Sequence, residues 1–250
     1  MARAVFNRIR SALRYLARAA PPHAWRLSRS TCPNCAGTWF LSLRHDAFMT
    51  RCLRCHANAT NLSLIPVIQS HQGSHRTDCA WEMSTYGATL DYLRRNVAHV
   101  HCSEYFVHAA PGAFVDGIMN QDVQNLAFAD DSLDLITSNQ VFEHVPDDLR
   151  GYRECFRVLR AGGALIFTIP LHDIPATQQL ATLRDRNIEF LTAPEFHDSR
   201  LQGPRSAPCF WRHSFHDVAA RVATADFTVE LVEVRITSIA STWVVYALKA

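Results

Sequence analysis

The sequence predicts an α/β domain on a mainly parallel sheet, preceded by a small cysteine-rich module. Three observations lead there. Two Cys-x2-Cys pairs fall between residues 30 and 58. From residue 77 to 170, short apolar runs alternate with helical patterns, as in repeated strand-helix units. Two β-rich runs, 227–236 and 242–248, then close the sequence.

The 250 residues suffice for one sizeable domain and a small one. With 48% hydrophobic and 19% charged residues, the composition is that of a folded chain rather than a disordered one. No apolar run approaches the roughly 18 residues of a membrane span, so no transmembrane segment is expected. The net charge of +2 hides an asymmetry: residues 1–60 hold ten Arg and one acid, Asp46, and the remainder is acidic. A basic arm suits an anionic partner such as RNA, a phosphorylated substrate or a membrane surface. The plain alternative is solubility, or contact with the chain's own acidic body.

Residues 2–20 have helical periodicity, with Val5, Ile9, Ala12, Leu13 and Leu16 on one side, and Pro21-Pro22 stops the pattern. The expected organisation is a basic amphipathic helix and linker at 1–29, a metal-binding ribbon at 30–60 and a linker at 61–76 with a strand-like run at 62–68. The main domain follows at 77–250. Within it, residues 171–210 carry Pro175, Pro194, Pro204 and Pro208 and read as a lid or substrate loop. A helix is expected at 214–226.

Cys32-Pro33-Asn34-Cys35 and Cys52-Leu53-Arg54-Cys55 are separated by sixteen residues. Each pair can aim two sulfurs into one tetrahedral site from a tight turn, and four thiolates leave no position for water. The expected metal is a structural zinc(II). His56 is a competing donor or, more simply, a solvated side chain. The other thiols, Cys79, Cys102, Cys155 and Cys209, are scattered and read as reduced, which suits a reducing, cytoplasmic compartment. The acid-free first twenty residues also have the composition of a mitochondrial transit peptide.

The main domain can be traced strand by strand. A strand at 78–83 ends in Glu82 and is followed by Ser84-Thr85-Tyr86-Gly87-Ala88 and a helix at 89–95. A second strand, 97–103, leads to Glu104, twenty-two residues after Glu82, and a third, 114–120, leads to Asp122. Then come Leu126-Ala127-Phe128, Ser132-Leu133-Asp134 opening a fourth strand at 133–138, and Glu143-His144-Val145 beyond its end. Arg157-Val158-Leu159 precedes Gly162-Gly163, read as the end of a helix and the turn into a fifth strand at 164–169.

This succession resembles the class I S-adenosylmethionine (SAM)-dependent methyltransferases of the methyltransferase 11 kind, over residues 78–250. The resemblance implies a Rossmann-like sheet closed by a C-terminal antiparallel hairpin. It implies a SAM site at the carboxyl ends of the strands. Glu82, Ser84 and Gly87 would form the first loop, Glu104 with Tyr105 the ribose site, and Asp122 with Val123 the adenine site. Asn139 and Gln140 would stand where cofactor and acceptor meet. His144 is a candidate general base or only a fold signature, and His172 is a second candidate. One departure stands out: the family's three loop glycines are replaced by Ser84, Tyr86 and Ala88, with Gly87 between them. The expected function is methyl transfer to a small or glycan-linked acceptor. The alternatives are an RNA methyltransferase using the basic region, or a non-catalytic pseudo-methyltransferase scaffold.

Overall fold

A computed structural model describes residues 22–44, 46–185, 187–199 and 203–250. The amphipathic helix expected at 2–20 lies outside the described residues. The chain divides into two compact units, one of residues 1–63 with 234–242, the other of 64–233 with 243–250.

In the first unit, β1 (Arg26–Arg29), β2 (Trp39–Ser42) and β3 (Thr50–Cys52) form an antiparallel sheet in that order. Phe40, Ser42, Thr50 and Cys52 are buried at alternate positions, the period-2 signature of strands. The ribbon therefore begins inside the stretch read as a linker from 1 to 29. There Arg29 pairs with Trp39. The expected linker at 61–76 is also corrected, because residues Ala59–Gln72 form a helix, α1. Asn58 starts it by accepting the amide of Asn61 (2.8 Å) through its side chain. Leu62, Leu64, Ile65 and Ile68 are all fully buried. Thr60, Ser63 and His71 are buried with them, so polar and apolar residues are not sorted to opposite faces and no helical period separates this segment from a buried strand.

In the second unit, β4 (Cys79–Glu82), α2 (Ala88–Asn96) and β5 (His99–Glu104) follow the expected order. The expected third strand is instead a hairpin of β6 (Phe114–Val115) and β7 (Ile118–Asn120). Its two turn residues, Asp116 and Gly117, both have positive φ, as an Asp-Gly type I′ turn requires. Next come β8 (Leu133–Asn139), α3 (Asp148–Val158) and β9 (Leu159–Thr168).

The helix stops at Val158, so Gly162-Gly163 lies within β9 rather than at a helix end. A register shift separates the Leu133–Leu159 pair from Leu135–Ala164. At this bulge Gly162 has φ +79°, and a Cβ on Gly163 would come within 2.9 Å of the Arg160 and Asp134 carbonyls.

The expected 171–210 loop is built of short strands. They are β10 (Leu171–His172), β11 (Gln178–Gln179), β12 (Ala181–Arg184), β13 (Asn187–Phe190), β14 (Phe196–Ser199) and β15 (Gly203–Pro208). β12 pairs with β13 and β14 with β15, each antiparallel. β16 (Trp211–Ser214) lies between β10 and β11. The helix expected at 214–226 is shorter, α4 (Val218–Ala223). β17 (Thr228–Thr237) and β18 (Ala240–Leu248) end the chain.

The eight-stranded sheet runs β17-β18-β9-β8-β4-β5-β7-β6. β9, β8, β4, β5 and β7 are mutually parallel, and β18 is antiparallel to β9. The strand order reverses beside β4, which places a crevice at the carboxyl ends of β4 and β8. β8 and the second half of β9 are buried at successive positions, as expected of strands covered on both faces. Trp81, Phe142, Tyr152 and Phe167 are almost wholly buried and centre the core.

Candidate functional site

The carboxyl ends of the parallel strands gather the predicted acids. Glu82 ends β4 and is buried, with the Thr137 hydroxyl donating to its Oε2. Burial above all, with the neighbouring Glu104 charge adding, pushes its carboxyl up to about 8. The loop after β4 turns at Gly87, whose φ is 112°. Its Thr85 donates from both the backbone N (2.9 Å) and Oγ1 (2.6 Å) to Glu104 Oε1, at the end of β5. This contact fastens the glycine-poor loop to the acid on the next strand.

A cavity of about 120 Å³ opens beside this loop. Its walls include Glu104, Tyr105, Asp122, Val123 and His144, so five of the predicted residues converge on one space. Trp81, Gln121, Gln124, Val141 and Pro146 also line it and were not singled out in the sequence. Trp81 belongs both to the core and to the cavity wall: its Nε1–H donates to Ser103 Oγ (3.0 Å) while the residue borders the cavity. Asp122 is held by a local turn in which its Oδ1 accepts from the Gln124 amide (2.9 Å) and side chain (3.0 Å).

Glu82, Ser84, Gly87, Asn139 and Gln140 are not part of the cavity wall. Ser84 and Gly87 shape the loop. Asn139 donates to Thr89 Oγ1 (3.1 Å) and accepts from Thr168 Oγ1 (3.2 Å). Gln140 donates its amide to the Thr168 carbonyl (2.9 Å). Both brace the junction of β8, β9 and α2. His172, the second candidate base, lies in β10 outside the cavity wall.

His144 ends a 3-10 turn, Phe142–His144. Its Nδ1–H donates to the Pro208 carbonyl (2.8 Å), and its Nε2 lies 3.1 Å from His197 Nδ1 on β14. Burial lowers its pKa to about 4, so the ring is neutral near pH 7. The adjacent Glu143 is also buried, which pushes its carboxyl up to about 8.

In the other unit, the four predicted thiols meet. Cys32 Sγ is 3.7 Å from Cys55 Sγ, and Cys35 Sγ is 3.7 Å from Cys52 Sγ. All four sulfurs lie within 4.8 Å of one another. Each Cys-x2-Cys pair closes a turn of the same shape: the Ala36 amide bonds the Cys32 carbonyl and the His56 amide the Cys52 carbonyl, each at 2.9 Å. Ala36 and His56 both take positive φ, 56° and 61°. His56 is not part of the sulfur cluster.

Residues 84–167 match the family model described as "Methyltransferase domain". Over 81 residues the chain is 35% identical to a probable SAM-dependent methyltransferase of Mycolicibacterium smegmatis, covering 32% of this chain and 28% of that protein. Over 58 residues it is 45% identical to the malonyl-[acyl-carrier protein] O-methyltransferase of Methylococcus capsulatus, covering 23% and 21%. Over 87 residues it is 32% identical to the sarcosine/dimethylglycine N-methyltransferase of Halorhodospira halochloris, covering 34% and 31%. The chain thus spans less than a third of the length of each of these relatives. Its fold is similar to that of Burkholderia thailandensis 1,6-didemethyltoxoflavin-N1-methyltransferase, solved with 1,6-didemethyltoxoflavin and S-adenosylhomocysteine bound. The TM-score is 0.51 at 12% identity, over 77% of this chain and 79% of that one. The chain therefore has a Rossmann-like fold of the kind seen in SAM-dependent methyltransferases, and the segment that matches the methyltransferase-domain model includes the loop from Ser84, Glu104, Asp122 and His144.

Proposed function

We propose that the chain is a SAM-dependent methyltransferase acting on a small or glycan-linked acceptor. The observation that carries this reading is the cavity that Glu104, Tyr105, Asp122 and Val123 share at the switch in strand order. Its chemistry fits SAM. The polar wall offers carboxylate acceptors, whereas the cofactor presents ribose hydroxyls, an adenine amine and cationic groups. Burial and the neighbouring Glu104 charge raise the cost of ionising Glu82, and a bound cation would relieve it.

Bound SAM supplies an electrophilic methyl group on its sulfonium. Glu104 would accept from the ribose hydroxyls through the oxygen that Thr85 does not engage. Asp122 would accept from the adenine amine, and the Trp81 and Val123 side chains would exclude water from the ring. The chain's main contribution is alignment of an acceptor with the methyl group. A general-base role for His144 requires its Nε2 to leave His197, and His172 lies outside the cavity wall, so the mechanism assigns neither a proton transfer.

For a small acceptor, support comes from the name of one matching relative, the sarcosine/dimethylglycine N-methyltransferase, while another is named for malonyl-[acyl-carrier protein]. RNA recognition rests on the Arg-rich first 60 residues alone, and a scaffold role rests on the missing loop glycines. We further infer that Cys32, Cys35, Cys52 and Cys55 hold a structural zinc(II), since four convergent thiolates form a closed tetrahedral donor set.

Calorimetric titration with SAM and S-adenosylhomocysteine tests the central reading. Micromolar binding that weakens by about tenfold or more in Glu104→Ala supports it. Binding of neither compound would remove it and leave the scaffold role.

A further inference from the structure

A second cluster of metal-binding side chains lies beside the cavity. His144 Nε2, His197 Nδ1 and Cys209 Sγ all lie within 4.8 Å of one another. A carboxylate stands beside the pair of imidazoles: Glu143 Oε1 is 3.8 Å from His144 Nε2 and 3.6 Å from His197 Nδ1. Glu143 is 2% exposed, and neither of its oxygens has a hydrogen-bond partner. A buried carboxyl left in that state is costly, and a cation among these four side chains would answer it.

The tautomer of His144 is set for ligation. A carbonyl can only accept, so the contact with Pro208 fixes the proton on Nδ1 and leaves the Nε2 lone pair facing the cluster. Metal-bound histidines are oriented by this kind of second hydrogen bond. The frame is tied by main-chain bonds on both sides of Cys209. The Cys209 amide donates to the Glu195 carbonyl (3.0 Å) and the Phe210 amide to the Glu143 carbonyl (2.8 Å). The β14–β15 hairpin brings His197 to the same point.

We propose that His144, His197 and Cys209 form a second metal site, for a borderline divalent ion of the zinc class, with Glu143 as the neighbouring carboxylate that the ion's charge would answer. Two imidazoles and one thiolate are a poor set for magnesium or calcium, which take oxygen ligands, and a good one for zinc(II). The ion links the turn after β8 to the β14–β15 hairpin. It takes up the Nε2 lone pair of His144, which explains why this histidine can line the cavity without being a base. The competing arrangement is a metal-free hydrogen bond between the two imidazoles, which leaves Glu143 unpartnered.

The test is metal content of the full chain after loading with zinc(II) and dialysis. The wild type should retain one more equivalent than the His197→Ala/Cys209→Ser variant, with unchanged circular dichroism. His197→Ala alone, at a half-exposed side chain, should weaken the extra ion by at least about tenfold. Loading with cobalt(II) supplies a second readout. The wild-type-minus-variant spectrum should show a tetrahedral ion with a single thiolate, distinct from the four-thiolate spectrum of the ribbon. Equal metal content in wild type and double variant, or a difference spectrum without thiolate charge transfer, overturns the proposal. SAM titration is read separately, so loss of the metal site and loss of the methyltransferase reading are distinguishable.

Discussion

The two clusters of soft donors in this protein are built in opposite ways. The four cysteines of the ribbon fall between residues 32 and 55, and each pair is presented by its own tight turn. The second cluster draws on residues 143, 144, 197 and 209, from a 3-10 turn, a strand and the end of a hairpin. The first is a local object whose geometry follows from spacing. The second exists only because β14 and β15 come to rest beside that turn. Asp148 makes a third polar cluster, assembled across the fold like the second but closed. His213 Nε2 (3.0 Å) and Arg221 Nε (2.8 Å) meet one of its oxygens and Arg221 Nη2 (2.6 Å) the other. Glu143 has no such partners, which is what marks its cluster as a site.

The largest effect expected is on the local cluster. Removal of the proposed zinc by a strong chelator, or Cys52→Ser, should unfold the segment that carries the four cysteines, because structural zinc contributes on the order of 10–16 kcal/mol to small metal domains. Limited proteolysis should then cut within 22–58 and spare the main sheet. Continued protease resistance there would erase the contrast between a metal-built and a chain-built cluster.

Next in size is the closed cluster. Asp148→Asn leaves Arg221 and His213 without their anion and should cost about 3–5 kcal/mol in urea denaturation. Burial alone would raise the Asp148 pKa, but the hydrogen bonds from His213 and Arg221 more than offset this and hold it below the ordinary value. A carboxyl whose folded pKa is depressed adds stability above its unfolded pKa of about 3.9, lost as pH falls through the folded value. The Asn variant should therefore lose less stability between pH 5 and pH 2 than the wild type, on the order of the shift itself. Equal acid sensitivity would show that the cluster is not the acid-labile element.

Glu104→Ala should weaken SAM binding by about ten- to a hundredfold, since hydrogen bonds to a charged group are worth about 1.5–3 kcal/mol. Its folding stability should change little, because among the described residues the hydrogen bonds to its carboxylate come from Thr85. The smallest effect concerns the bulge of β9. Gly162→Ala, at φ +79°, should cost about 1 kcal/mol by thermal unfolding. No destabilisation there would mean that the bulge relaxes around a side chain.

Much of the fold is legible without coordinates. The strands leading to Glu82, Glu104 and Asp122 lie in the expected order, and Glu104 and Asp122 border one cavity while Glu82 is buried behind it. The departures have identifiable physical reasons. α1 shows no helical period because Thr60, Ser63 and His71 are buried among Leu62, Leu64, Ile65 and Ile68, so its polar residues do not sort to one face. Gly162-Gly163 looked like a helix end because a C-cap and a bulge both select glycine. The Asp116-Gly117 turn was readable in principle as a hairpin signal but sat inside an apolar run of strand length.

The sequence alone determined the elements whose cause is local: the four-thiol ribbon, the parallel strands with acids at their ends, and the glycine-poor loop after β4. Only the tertiary structure decided that Trp81 borders the cavity, that Thr85 ties the loop to Glu104, and that His144 faces His197, Cys209 and an unpartnered Glu143. The physical reason is distance along the chain. Spacing of two or three residues fixes which side chains share a turn, whereas packing across dozens of residues fixes which turns share a site.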